Sequence, residues 1–145
     1  MKGTQVHVAP ITCKFFNLTS FTAKPDAEYP ETILKPNEPF SLRVTVEFGG
    51  AGVIALMPLL VCIKVNFFAE PYGLGSKSEL GDALVTTSAG LFTYTPTLKI
   101  AKPEAVGLVP DAIYNISAVL RVGASNGPAL ITGFTDGLAL QIYVP

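Results

Sequence analysis

Residues 40–48 alternate without a break: Phe40, Leu42, Val44, Val46 and Phe48 take one set of positions, and Ser41, Arg43, Thr45 and Glu47 take the other. A repeat of two sends all the apolar side chains to one face of an extended chain and all the polar ones to the opposite face. That is a half-buried β-strand, and it does not make one face of a helix. Residues 61–69 repeat the pattern, with Val61, Ile63, Val65 and Phe67 inward and Cys62, Lys64 and Asn66 outward. Residues 91–100 set Phe92, Tyr94, Leu98 and Ile100 against Thr93, Thr95, Thr97 and Lys99. Residues 113–122 set Tyr114, Ile116, Ala118, Leu120 and Val122 against Asn115, Ser117 and Arg121. Residues 138–144 form a final alternating strand, and residues 11–19, 81–87 and 129–134 carry the pattern less fully.

No segment shows a helical period with caps. Gly (13) and Pro (12) are spread through the whole chain, where they shorten elements and supply turns. Pro25, Pro30, Pro36 and Pro39 fall in one connection, residues 22–39, together with Asp26, Glu28, Glu31 and Glu38. This stretch is expected to be a long mobile loop. A length of 145 residues fits one domain, with no internal repeat and no linker. The expected fold is all-β: one antiparallel β-sandwich of about seven or eight strands over residues 1–145, with residues 1–10 as an N-terminal arm.

Leu108-Val109-Pro110-Asp111-Ala112-Ile113-Tyr114 runs directly into a predicted strand. It resembles the tyrosine corner of immunoglobulin-like and fibronectin-like sandwiches. There a Tyr at the start of the penultimate strand hydrogen-bonds backbone a few residues upstream and fixes the crossing between sheets. The resemblance covers residues 40 to the end and implies an immunoglobulin-like Greek key with Tyr114 in a structural role. The chain departs from the antibody type: it has no Trp, and Ile116 stands where that type has Cys. The resemblance is one of fold and implies no activity.

Charge sets the next limits. Only 14% of residues are charged, 49% are hydrophobic, and mean hydropathy is +0.45. Between Glu47 and Lys64 there is no charge, and from Asp111 onward only Asp111, Arg121 and Asp136 carry one. A net charge of −1 without a basic cluster argues against nucleic acid as a partner. The N-terminal residues lack the apolar core of a signal peptide, and residues 53–63 are too short to span a bilayer as a helix. A cytoplasmic protein without a transmembrane segment is expected. Cys13 and Cys62 are too few for a disulfide framework and are read as free buried thiols. The glycosylation triplets Asn17-Leu18-Thr19 and Asn115-Ile116-Ser117 are of a kind common by chance.

Two motifs imitate catalytic signatures. Gly50-Ala51-Gly52-Val53-Ile54-Ala55 matches a dinucleotide fingerprint, with Glu70 placed as a ribose-binding acid would be. A parallel crossover needs a helix of about a dozen residues, and Pro58 would break it. Gly123-Ala124-Ser125-Asn126-Gly127 matches a nucleophile elbow, but Pro128 and strand-like sequence follow it, and the one histidine, His7, is remote. It reads as a hairpin turn with Asn126-Gly127 at positive φ. One His and two distant Cys make no zinc site. Glu28 with Glu31, and Glu79 with Asp82, read as solvated loop charges. A calcium site across loops has no motif behind it.

The leading expectation is a structural or interaction module without catalytic residues, cofactor or metal, and so not an enzyme. It would be a homo-oligomer or a subunit of a larger assembly, with Val53, Ile54, Leu56, Met57 and Leu59 as interface residues. The competing expectation for residues 51–60 is that they fold back into the core. The alternative function is binding of carbohydrate or lipid by loops at one end, with Tyr72, Phe68 or Phe134 in contact, or with Tyr29, Tyr72 and Tyr143 as a sugar platform.

Overall fold

The computed structural model describes residues 3–8, 11–24, 27–124 and 127–143. Strands hold 60% of the chain and helices 9%, so the protein is all-β. The strands form two sheets. The first contains β1 (Thr4–Val8), β2 (Ile11–Lys24), β3 (Ala27–Pro30), β5 (Phe40–Gly49), β8 (Thr93–Tyr94) and β9 (Thr97–Ile100). The second runs in the order β4 (Ile33–Leu34), β11 (Ala129–Ile142), β10 (Ile113–Gly123), β6 (Cys62–Pro71) and β7 (Ser78–Thr86). Every pairing is antiparallel except that of β4 with the end of β11, where Ile33 and Leu34 match Gln141 and Ile142 in parallel.

The alternation read from the sequence decides which face each strand buries. Leu42, Val44 and Val46 of β5 are fully buried, as are Ile63, Val65 and Phe67 of β6 and Ile116, Ala118 and Leu120 of β10. With Phe15 and Leu18 of β2 and Leu140 and Ile142 of β11 they belong to one hydrophobic cluster fed by both sheets. Burial of apolar area at about 25 cal/mol per Å² makes that cluster the main source of stability.

Four expectations change. The N-terminal arm holds β1, which forms a hairpin with β2 through Val8 opposite Ile11. The proline-rich connection is not one long loop: its first residues belong to β2, and it contains β3 and β4. Pro25 and Asp26 of that connection lie outside the described residues. The strand over residues 91–100 is two pieces, because Pro96 has no N–H to give the ladder. Conversely, the two segments at 129–134 and 138–144 are one strand through Ile142. At Asp136 and Gly137 the strand carries one extra residue, seen as a register shift between Ile116–Leu138 and Ala118–Thr135. Gly137 takes φ 93° there, a conformation open to glycine. Eleven strands are therefore present among the described residues, against the seven or eight expected.

Candidate functional site

β5 and β6 lie in different sheets, so residues 50–61 carry the chain from one to the other. Gly50 turns at φ 92°, and Gly52 starts a single helical turn, α1 (Val53–Leu56). A 3-10 turn, Met57–Leu59, follows with Pro58 near its start. A helical turn places residues four apart on one face. Val53 and Met57 accordingly point into the core, 5% and 0% exposed, while Ile54 and Leu59 point out at 72% and 69%. Leu56 is partly buried. The interface set read from the sequence thus divides: Val53 and Met57 leave it because they are core, and Ile54 and Leu59 remain on the surface. Leu60 joins them, 63% exposed and in the left-handed region at φ 56°, which a branched side chain enters at a cost.

The segment is held rigidly from below. The Thr87 hydroxyl donates to the Met57 carbonyl and accepts from the Val61 N–H, both at 3.0 Å. The Tyr94 hydroxyl donates to the Leu91 carbonyl at 2.7 Å, accepts from the Ser88 N–H at 3.0 Å, and lies 3.6 Å from the Met57 sulfur. The adjoining loop adds Leu91, 48% exposed. Ile54, Leu59, Leu60 and Leu91 therefore form an apolar cap fixed by buried bonds. The cap carries no ionisable side chain. A four-residue helix also removes any dinucleotide role for Gly50 and Gly52, since it cannot serve as a phosphate-binding crossover.

Elsewhere, the Tyr114 hydroxyl accepts a hydrogen bond from the backbone N–H of Val109 at 2.9 Å, and the ring is buried. Phe68 and Phe134 come together under the Lys77 ammonium, 5.9 and 6.0 Å from the two ring centres. Tyr72 directly follows β6 and is 63% exposed. Glu79 and Asp82 are not loop charges: they lie on β7, where Glu79 accepts from the Asn66 amide at 3.2 Å and Asp82 pairs with Lys64 at 3.7 Å. Cys13 and Cys62 are free, and burial pushes the Cys13 thiol up to about 11. Cys62 is only partly buried, where full burial was expected. Ser125 and Asn126 of the elbow-like motif lie outside the described residues. The Gly127 N–H donates to the Ala124 carbonyl at 3.1 Å.

At the opposite end of β5 and β11, the turn following β4 meets Tyr143 and a 3-10 turn, Pro103–Val106. Two cavities of about 410 and 310 Å³ open there, and both are lined by Lys35 and Tyr143. Sequence reasoning missed most of this region, because its parts are scattered from Thr22 to Tyr143 and meet only in the fold. Among the described residues, no three His, Cys, Asp or Glu side chains are placed to hold a metal ion, and no helix is long and apolar enough to cross a membrane.

No family model matches the chain, and no curated protein matches it. Among solved structures it is similar to a β-glucosidase from Listeria innocua in complex with glucose, at 12% identity and a TM-score of 0.44. The match covers 93% of this chain and 16% of that one, so the chain spans about a sixth of that protein's length. The expectation that the chain is not an enzyme is corrected here, since the matched protein is an enzyme. A likeness this weak assigns no activity to the chain.

Proposed function

We propose that the chain is a single immunoglobulin-like Greek-key β-sandwich domain that works as an interaction module, burying its apolar cap against a second copy of itself. The order of the strands supports the fold. The chain goes from β5 across to β6 and β7, returns to β8 and β9 beside β5, then crosses again to β10 and β11 beside β6. The hydrogen bond from the Val109 N–H to the Tyr114 hydroxyl, near the start of β10, supports the fold further.

The observation that carries the interaction reading is the exposure of Ile54, Leu59 and Leu60 on a segment anchored through buried Val53 and Met57. Large contiguous apolar patches are uncommon on monomers. Holding them rigid lowers the ordering cost of association. A net charge of −1 supplies little repulsion between copies, which favours self-association. The test is a triple substitution, Ile54→Ser, Leu59→Ser and Leu60→Ser, with mass measured by light scattering over a concentration series. Wild type should gain mass with concentration, and the variant should stay at 15.3 kDa with its unfolding transition retained. A wild type that remains monomeric at all concentrations overturns self-association.

A further inference from the structure

The end of the molecule remote from the cap carries a second feature that self-association does not use. β4 runs parallel to the end of β11, and the Tyr143 N–H donates to the Leu34 carbonyl at 2.7 Å. The turn after β4 is held to the 3-10 turn Pro103–Val106 by the Glu104 N–H, 3.5 Å from the Pro36 carbonyl. These bonds are backbone to backbone, and they leave the Tyr143 ring 48% exposed between the two segments. One cavity, about 410 Å³, is lined by Lys35, Pro36, Asn37, Glu104 and Tyr143. The other, about 310 Å³, is lined by Thr22, Glu31, Ile33, Lys35, Glu38 and Tyr143. Because they share Lys35 and Tyr143, they are two halves of one groove with an aromatic ring between them. Each half reaches the lower end of the usual range for a small-molecule site.

The lining selects a chemistry. Lys35 is 3.5 Å from Glu38, and Lys102 is 3.9 Å from Glu104, so two carboxylates have ammonium groups beside them. Glu31 adds a third carboxylate, which leaves the groove with more acid than base and opposes phosphate, sulfate and uronate ligands. Ile33 and Pro36 are too little apolar surface for an acyl chain. What remains is a half-exposed tyrosine ring amid carboxylates, an amide and an ammonium, suited to a ligand with hydroxyls on its edge and C–H groups on its face. Thr22 lines the groove as a buried residue, 7% exposed.

We propose that this groove binds a neutral saccharide, with the Tyr143 ring under a sugar ring and Glu31, Glu38 and Asn37 taking its hydroxyls. The test uses the full chain on an array of neutral and acidic glycans, followed by calorimetric titration with the strongest neutral oligosaccharide. The expected result is binding of neutral glycans. Affinity should fall about tenfold or more in Tyr143→Ala and stay within about threefold in Tyr143→Phe, which keeps the ring. Circular dichroism should show both variants folded, since the Tyr143 backbone bond survives either change. No binding to any neutral glycan, a preference for acidic ones, or undiminished binding by folded Tyr143→Ala overturns the proposal. Light scattering on the cap variant tests a different surface, so either reading can fail alone.

Discussion

Two of the chain's crossings between its sheets are closely matched, and they differ in what they leave outside. Residues 50–61 join β5 to β6, and residues 101–112 join β9 to β10. Each contains a 3-10 turn with a proline near its start, and each turn ends on a residue in the left-handed conformation. A tyrosine hydroxyl braces each: Tyr94 beside Met57, and Tyr114 on Val109. In the second crossing the left-handed residues are Gly107, at φ 82°, and Asp111, at φ 64°, both of types that enter that region readily, and Lys102, Glu104 and Asp111 meet the water beside Val109, 54% exposed. In the first it is Leu60, and the surface is Ile54, Leu59 and Leu60. The first crossing exposes more apolar surface, and it puts a leucine in the left-handed region where the second uses glycine and aspartate. Strain and exposed apolar groups concentrated in one braced segment are the features on which the proposed contact surface rests.

Five substitutions test that contrast. The largest effect is expected at Met57, which is fully buried beneath the first crossing. Met57→Ala should lower the unfolding free energy by about 2–5 kcal/mol in a denaturant titration; a loss well under 1 kcal/mol would mean that the cap has no rigid base. Gly107→Ala comes next. A Cβ at Gly107 meets no atom within 4 Å, so only the backbone resists it. The loss should be about 1–2 kcal/mol, and an unchanged midpoint would remove the conformational half of the comparison. Tyr114→Phe deletes one hydrogen bond to Val109 and should cost about 0.5–1.5 kcal/mol. Tyr94→Phe should cost a similar amount, so a large difference between the two would show that the braces are not equivalent. The smallest change in stability is expected for Leu60→Gly, between none and a gain of about 1 kcal/mol as strain is relieved. The same variant should associate less by light scattering. If Leu60→Gly instead unfolds the protein, the cap is core and the contrast is gone.

The long strands were legible because a period of two over eight or more residues has no other reading. β1, β3 and β4 were not, because short strands take their register from partners far along the chain, and local sequence holds no record of that. β11 read as two strands because the extra residue at Asp136 and Gly137 shifts the phase of the alternation. Within the cap, the separation of Val53 and Met57 from Ile54 and Leu59 was available in principle, since Val53 and Met57 are four apart. A single turn between two prolific strands is too brief for that spacing to stand out. Tyr114 was found because its context is local. The groove around Tyr143 was not assembled, because Thr22 on β2, Lys35 after β4 and Glu104 between β9 and β10 reach it from separate parts of the chain.

The placing of β10 between β6 and β11 has a consequence for the chain while it is being made. β2 and β5 can pair early, but β6 gains its inner neighbour only when β10 has been synthesised. Until then Ile63, Val65 and Phe67 are presented on a strand with one open edge. Pairings this distant along the chain form slowly, and open apolar strands attract their like during the wait. The nascent chain is thus most vulnerable to aggregation between the emergence of β6 and that of β10. Slower elongation after β6 would lengthen that interval, and a chaperone acting there would raise the yield of folded protein.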